Sequence, residues 1–181
     1  GIREIMSASL VNGARCIVSK VALPEELVRL KNPLSTELDV LRPTMLFGSL
    51  AAVAHNINRQ QRDLRFFERG RCYRATQQGT QETDVLAIAL TGRRYRERWR
   101  ATVRRTELLD VKEEVEALLG RMGLEGGAAW EMKQHPLLDQ AHTLTINGRH
   151  AGWVGEVDPA QLKASDLAQP VFYAELDERV L

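Results

Sequence analysis

The sequence predicts an α+β domain with a mainly antiparallel sheet flanked by helices. Three observations carry this expectation. Asn147-Gly148 separates two alternating apolar and polar runs, the pattern of a tight β-hairpin. Leu46, Leu50, Val53 and Ile57 fall at spacings of four, three and four, a stripe with helical period. Val85 to Thr91, "VLAIALT", is a near-continuous apolar run bounded by Asp84 and Gly92, as a buried strand requires. Hairpin-linked strands with few helices fit an antiparallel sheet better than a βαβ series.

Taken in chain order, residues 2–11 are short, apolar and rich in small side chains, and predict a strand. Residues 28–31 predict a second, ended where Pro33 removes a donor and restricts Asn32 to extended geometry. A helix follows over about 43–60, with Gly48, Ala51, Ala52 and Ala54 leaving part of it slender. Residues 64–73 predict a strand bent or ended near Gly70, and 85–91 another. Residues 107–122 predict a second helix with Leu108, Val111, Val115, Leu118, Leu119 and Met122 on one side. Glu107 and Asp110 lie at its positive end, where acids are favourable. The Asn147-Gly148 hairpin, a short helix begun by Asp158-Pro159 and a strand over 171–176 complete the chain.

With 181 residues, the chain suits one domain with a substantial core, a single module spanning 1–181. Net charge is only +1, so affinity for polyanions has to come from local clusters. Residues 93–105, "RRYRERWRATVRR", hold seven arginines and one glutamate, and residues 107–119 hold five acids and one lysine. Cys16 and Cys72 form no CxxC pair, which suits a reduced, cytoplasmic protein. No apolar run reaches the ~18–20 residues that span a bilayer, so no membrane is expected. The start, "GIREIMSASLVNG", lacks the order of a signal peptide and reads as a sequence in progress, a piece of a longer multi-domain chain.

Several chemistries lack their residues. There is no P-loop motif and no G-x-S-x-G elbow. Gly148, Gly152 and Gly155 lie on a hairpin instead of a strand-to-helix turn. His55, His135, His142 and His150 show no metal-ligand spacing. No metal site and no catalytic residue is therefore expected in this chain. Residues 58–74, "NRQQRDLRFFERGRCYR", interleave six arginines with aromatic residues. That pattern suits a nucleic-acid surface, a nucleotide pocket or an amphipathic strand, and composition alone does not choose.

Read in order, however, the landmarks resemble one family. Asn32-Pro33-Leu34-Ser35, Glu37, Leu41-Arg42, then a leucine-rich helix ending in Asn56, Asn58 and Arg59, then Phe67, Glu68 and Gly70 are similar to the catalytic-like core module of the bacterial phenylalanyl-tRNA synthetase beta subunit. Gly92 and Trp99, then Asp110, Lys112 and Glu116, His135-Pro136, "GWVGEVDP" and "VFYAELD" continue the resemblance over nearly the whole chain. Glu113 replaces a usual glycine, Leu137-Leu138 replaces a glycine-containing turn, and Asp158 stands where a histidine is common.

The resemblance implies a degenerate class II synthetase core, within an alpha2-beta2 assembly that charges tRNA(Phe) using ATP and Mg2+. An active class II site needs an arginine on its motif 2 strand for the ATP α-phosphate and a second, on a glycine-rich motif 3, for the γ-phosphate. Glu68, Gly70, Arg71 and Arg74 resemble the motif 2 strand, with Arg74 at the phosphate position. Ala75 and Thr76 stand where an acid should follow, and "FYAELDERVL" has no glycine, so Arg179 cannot supply motif 3. The fragment is therefore expected to bind neither cofactor and to be inactive alone, a scaffold for the catalytic alpha subunit that helps dock tRNA(Phe).

Arg42, Leu46, Leu50, Val53, Asn56, Ile57 and Arg59 are the candidates for the junction with the alpha subunit, unless the stripe packs on this chain's own sheet. Arg93, Arg94, Arg96, Arg98 and Arg100 are candidates for contact with the tRNA backbone, unless they form a solvated connection. The alternative is a free-standing RNA-binding domain that uses both arginine clusters. An active ligase would need the absent motif 3.

Overall fold

In the computed structural model, residues 1–94 and 104–181 are described. The strands are β1 (Arg3–Glu4), β2 (Leu10–Val11), β3 (Val40–Leu41), β4 (Leu64–Thr76), β5 (Gly79–Thr91), β6 (Ala128–Met132), β7 (Leu138–Ile146), β8 (Arg149–Val157) and β9 (Val171–Asp177). The helices are α1 (Gly13–Val18), α2 (Leu46–Ile57), α3 (Leu108–Met122) and α4 (Pro159–Ala164). Seven strands form one sheet in the order β1-β4-β5-β9-β8-β7-β6, and β2 pairs with β3 beside it. Only the β1–β4 pairing is parallel; the other pairings in the sheet are antiparallel.

Alternation along the central strands builds two cores, one on each face of the sheet. On one face, Val85, Ala87 and Ala89 of β5 join Val171 and Tyr173 of β9 under α2, whose Leu46, Leu50 and Val53 are fully buried. On the other, Ile88 and Leu90 join Phe172, Ala174 and Leu176 under α3, through its Val111, Val115 and Leu119. The run "VLAIALT" is apolar at nearly every position because β5 is covered on both sides.

The turn between β7 and β8 has Asn147 at φ 50° and Gly148 at φ 77°. Both angles are positive, which is the type I′ geometry that Asn-Gly adopts at low cost. Helix α3 is capped by Glu107 at its start and by Gly123, at φ 71°, at its end, with Leu124 N donating to Leu119 O at 2.9 Å.

Elsewhere the fold departs from the sequence expectation. Residues 2–11 split into β1 and β2, which belong to different sheets. Residues 28–31 contribute a single bridge, Arg29 to Val40. Gly70 neither bends nor ends β4, which stays in register with β5 from Leu64 to Thr76. Helix α1, capped by the Asn12 side chain on Arg15 N at 2.9 Å, and strand β6 were not foreseen.

Candidate functional site

Strand β4 holds the motif 2-like residues, and its alternation turns Glu68 and Gly70 toward α2. Glu68 is buried and accepts hydrogen bonds from Arg42 Nη1 at 3.0 Å, Ser7 N at 3.0 Å and Ser7 Oγ at 2.8 Å. Arg42, equally buried, also donates from Nε to the Arg71 carbonyl at 2.9 Å. A β-carbon at position 70 would run into the Arg42 guanidinium, so glycine is what lets the cation cross the strand. A buried charge is tolerable only when paired and hydrogen-bonded, and here both partners are.

Arg74 lies further along β4 and is also occupied. Its Nη1 pairs with Glu26 at 3.2 Å and its Nη2 donates to the Val21 carbonyl at 2.9 Å. Arg71 reaches across to β5, meeting Asp84 and Glu82 at 2.9 Å each. Arg179 folds back onto Asp177 at 2.9 Å. Next to this network, Glu175 of β9 accepts from Tyr173 Oη at 2.6 Å, Thr44 Oγ1 at 2.7 Å and Met45 N at 2.9 Å. Burial, then the neighbouring Glu175 carboxylate, pushes the Tyr173 phenol well up, so the hydroxyl stays a donor. Arg74, Arg71 and Arg179 are thus each paired with acids of the chain, and Glu175 is held by neutral donors.

The interface candidates divide by position. Leu46, Leu50 and Val53 are at 0% exposure and Arg42 at 3%, so their surfaces are already covered within the chain. The stripe packs on the chain's own sheet. Gly48 accommodates the Ser7 side chain, so at that point the slender helix admits the chain's own N-terminal segment. Asn56 and Ile57 are half-buried, with Asn56 Nδ2 on the Ala52 carbonyl at 2.8 Å. Arg59 is exposed, as are Ala51, His55 and Asn58 on the outer side of α2.

The arginine-rich stretch leaves and re-enters the fold at one point. Arg93 bridges Arg105, and Arg94 N donates to Arg104 O at 3.0 Å. Asp110 fastens both sides: its carboxylate lies 3.0 Å from Arg94 Nε and 2.8 Å from Arg104 Nη1, and it accepts from Glu107 N at 2.8 Å. Burial alone would raise the Asp110 pKa, but the Arg104 and Glu107 hydrogen bonds and the Arg94 charge outweigh it and hold the carboxyl below its ordinary value. Arg93 is held by Asp63 at 2.8 Å, and Arg94 also meets Glu113 and Glu114 at 3.0 and 3.2 Å. The two described candidates for tRNA contact, Arg93 and Arg94, are thus engaged in structural pairs. Arg96, Arg98 and Arg100 lie outside the described residues.

Cys16 and Cys72 are buried free thiols, and burial pushes Cys16 up to about 11 and Cys72 further still. His135 and His150 flank Trp153 with ring centroids 4.8 and 5.3 Å away, and burial takes His135 down to about 4, a neutral packing ring. Among the described residues, no group of three or more His, Cys, Asp or Glu is placed to hold a metal, and no helix is long and apolar enough to cross a membrane. Sequence reading missed the Arg42–Glu68 pair because it assigned the two residues to separate roles. Its signal was one arginine in the apolar run "VLRP" and one acid among the arginines and phenylalanines of "RFFERG".

The family model for the phenylalanyl tRNA synthetase beta chain CLM domain matches residues 1–178. The chain belongs to this family. Relatives named phenylalanine–tRNA ligase beta subunit include those of Porphyromonas gingivalis, 35% identical over 97% of this chain, and Thiobacillus denitrificans, 34% identical over 86%. The Bacteroides fragilis protein of that name is 32% identical over the whole chain. This CLM domain spans about a fifth of those relatives, 19–23% of their lengths. Its fold is similar to pyrrolysyl-tRNA synthetase from Desulfitobacterium hafniense, with a TM-score of 0.70 at 15% identity, covering 99% of this chain and 62% of that one. The class II synthetase fold is therefore present in this CLM domain, and Arg71 and Arg74 of β4 are paired within the chain.

Proposed function

We propose that this chain is a non-catalytic, class II-like module of a phenylalanine–tRNA ligase beta subunit. It supports ATP-dependent attachment of phenylalanine to tRNA(Phe) by holding the catalytic alpha subunit in an alpha2-beta2 assembly and by helping to dock tRNA. ATP and Mg2+ belong to the holoenzyme, and this module contributes no ligand to either. It works in the cytoplasm as one unit of a longer chain.

The observation that carries the scaffold reading is the pairing of Arg74 with Glu26 and Val21. A phosphate clamp has to present an uncompensated cation where charge develops. An arginine already bonded to an acid and a carbonyl has to give up both before it can accept a phosphate. Arg179, folded onto Asp177, is likewise already paired.

The outer side of α2 is the part of the candidate junction open to a partner, through Ala51, His55 and Arg59 with the half-buried Asn56 and Ile57. Co-expression of the full-length beta subunit with its catalytic partner tests this. Ala51→Arg with His55→Glu is expected to lower recovery of the complex about tenfold or more, a loss of ~1.4 kcal/mol or greater. Circular dichroism of the variant should match the parent, since both side chains are exposed. Undiminished recovery removes this helix from the junction.

A further inference from the structure

A groove of about 1650 Å³ opens at the end of the sheet where β4 begins. Five arginines line it (Arg3, Arg62, Arg65, Arg93 and Arg105), against one acid, Asp63. Two are already neutralised, Arg93 by Asp63 at 2.8 Å and Arg65 by Glu114. Arg3, Arg62 and Arg105 are exposed, and none of them has an acidic partner among the described residues. Three positive charges thus line one concavity, and no acid among the described residues pairs with them.

Their backbones are fixed although their heads are free. Arg3 sits on β1, in register with Phe66 of β4. The carbonyl of Arg62 accepts from Gln169 Nε2 at 2.8 Å. Arg105 is held in the bridge to Arg93, beside the Asp110 clamp. Gly92, at φ 83°, lies where any β-carbon would strike the Arg62 carbonyl, so the two chain segments that present Arg62 and Arg105 are drawn together by a position only glycine fits.

We propose that this groove binds the ribose-phosphate backbone of tRNA through Arg3, Arg62 and Arg105. The inference rests on the reading of the chain as a synthetase module. Guanidinium groups on three separate segments, each tied down by backbone bonds, suit successive phosphates, which offer single charges at repeated spacing and accept the planar fork. They read no base, so the contribution is positional and salt-dependent. Arg93 and Arg94, held by Asp63 and Asp110, serve as the frame and not as contacts.

The test measures tRNA(Phe) binding by the full-length beta subunit assembled with its catalytic partner, between about 50 and about 200 mM salt. The variant is Arg3→Gln/Arg62→Gln/Arg105→Gln, and Arg121→Gln, an exposed arginine on α3 away from the groove, is the control. Three lost phosphate contacts make the slope of log K against log salt shallower by about 2 to 3. Across that salt range the parent then loses about 15–65-fold more affinity than the triple variant. The control keeps the parent's slope. A triple variant with the parent's slope overturns the proposal while the parent still charges tRNA. Dissociation of the variant's subunits on gel filtration also overturns it, by assigning the arginines to an acidic protein surface. An assembled parent without tRNA affinity defeats the synthetase reading and the groove with it.

Discussion

Arg42 and Glu68 keep 4% and 2% of their side chains exposed and lie 3.0 Å apart. Removing one member leaves the other charged in the interior, which costs far more than the pair itself contributes. Arg42→Met is expected to destabilise the domain by about 3–5 kcal/mol in urea unfolding, and Arg42→Met with Glu68→Met to recover most of that loss. Equal losses in the single and double variants would show that the pair is not a buried, coupled unit. Arg71 contrasts with it: its partners on β5 are about half-exposed, and such surface pairs contribute ~0–1 kcal/mol. Burial, not the number of arginines, decides which charges matter to the fold. That distinction was not legible in the sequence, where Arg42 and Arg71 carry the same letter. Gly70 was legible as special, but for the wrong reason: it makes room for a cation and does not break the strand.

Among the elements, α2, α3 and the β7–β8 hairpin were readable because each repeats a local pattern that the core then uses. Leu46, Leu50 and Val53 mark one helix face, and Val111, Val115 and Leu119 another. The failures have a common cause. The β4–β5 hairpin extends through residues 74–82, which are polar or exposed, so no alternation marks them. Helix α1 has only six residues, and β6 has five with none fully buried. The start of α3 tests how an element anchors a loop. Asp110 joins the helix cap to Arg94 and Arg104, so Asp110→Asn is expected to lower stability by about 1.5–3 kcal/mol, the scale of hydrogen bonds to a charged group. Because its pKa is depressed in the folded state, the parent holds this stabilisation above the unfolded value of ~3.9 and loses it as pH falls through the folded one. The gap between parent and variant in thermal unfolding should therefore narrow below about pH 4. A gap that stays constant with pH contradicts the assignment.

At the scale of the molecule, the family was legible because landmarks spread over nearly the whole chain keep their order, from Asn32-Pro33-Leu34-Ser35 to "VFYAELD". The mainly antiparallel sheet followed from the same reading. What no linear pattern carried is how charges pair across the fold. Arg74 meets Glu26, Arg42 meets Glu68 and Arg69 meets Glu178, partners 26 to 109 positions apart. The groove around Arg62 and Arg105 escaped notice for that reason: its free cations stand out only once Arg65 and Arg93 are seen to be taken. The molecule thus has the sheet of a class II synthetase, and Arg74, already paired with Glu26 and the Val21 carbonyl, is expected to be unavailable to a nucleotide. ATP–pyrophosphate exchange with phenylalanine, measured on this chain alone, tests that conclusion most directly. Exchange at background level is expected; exchange above background that Arg74→Ala abolishes would contradict it.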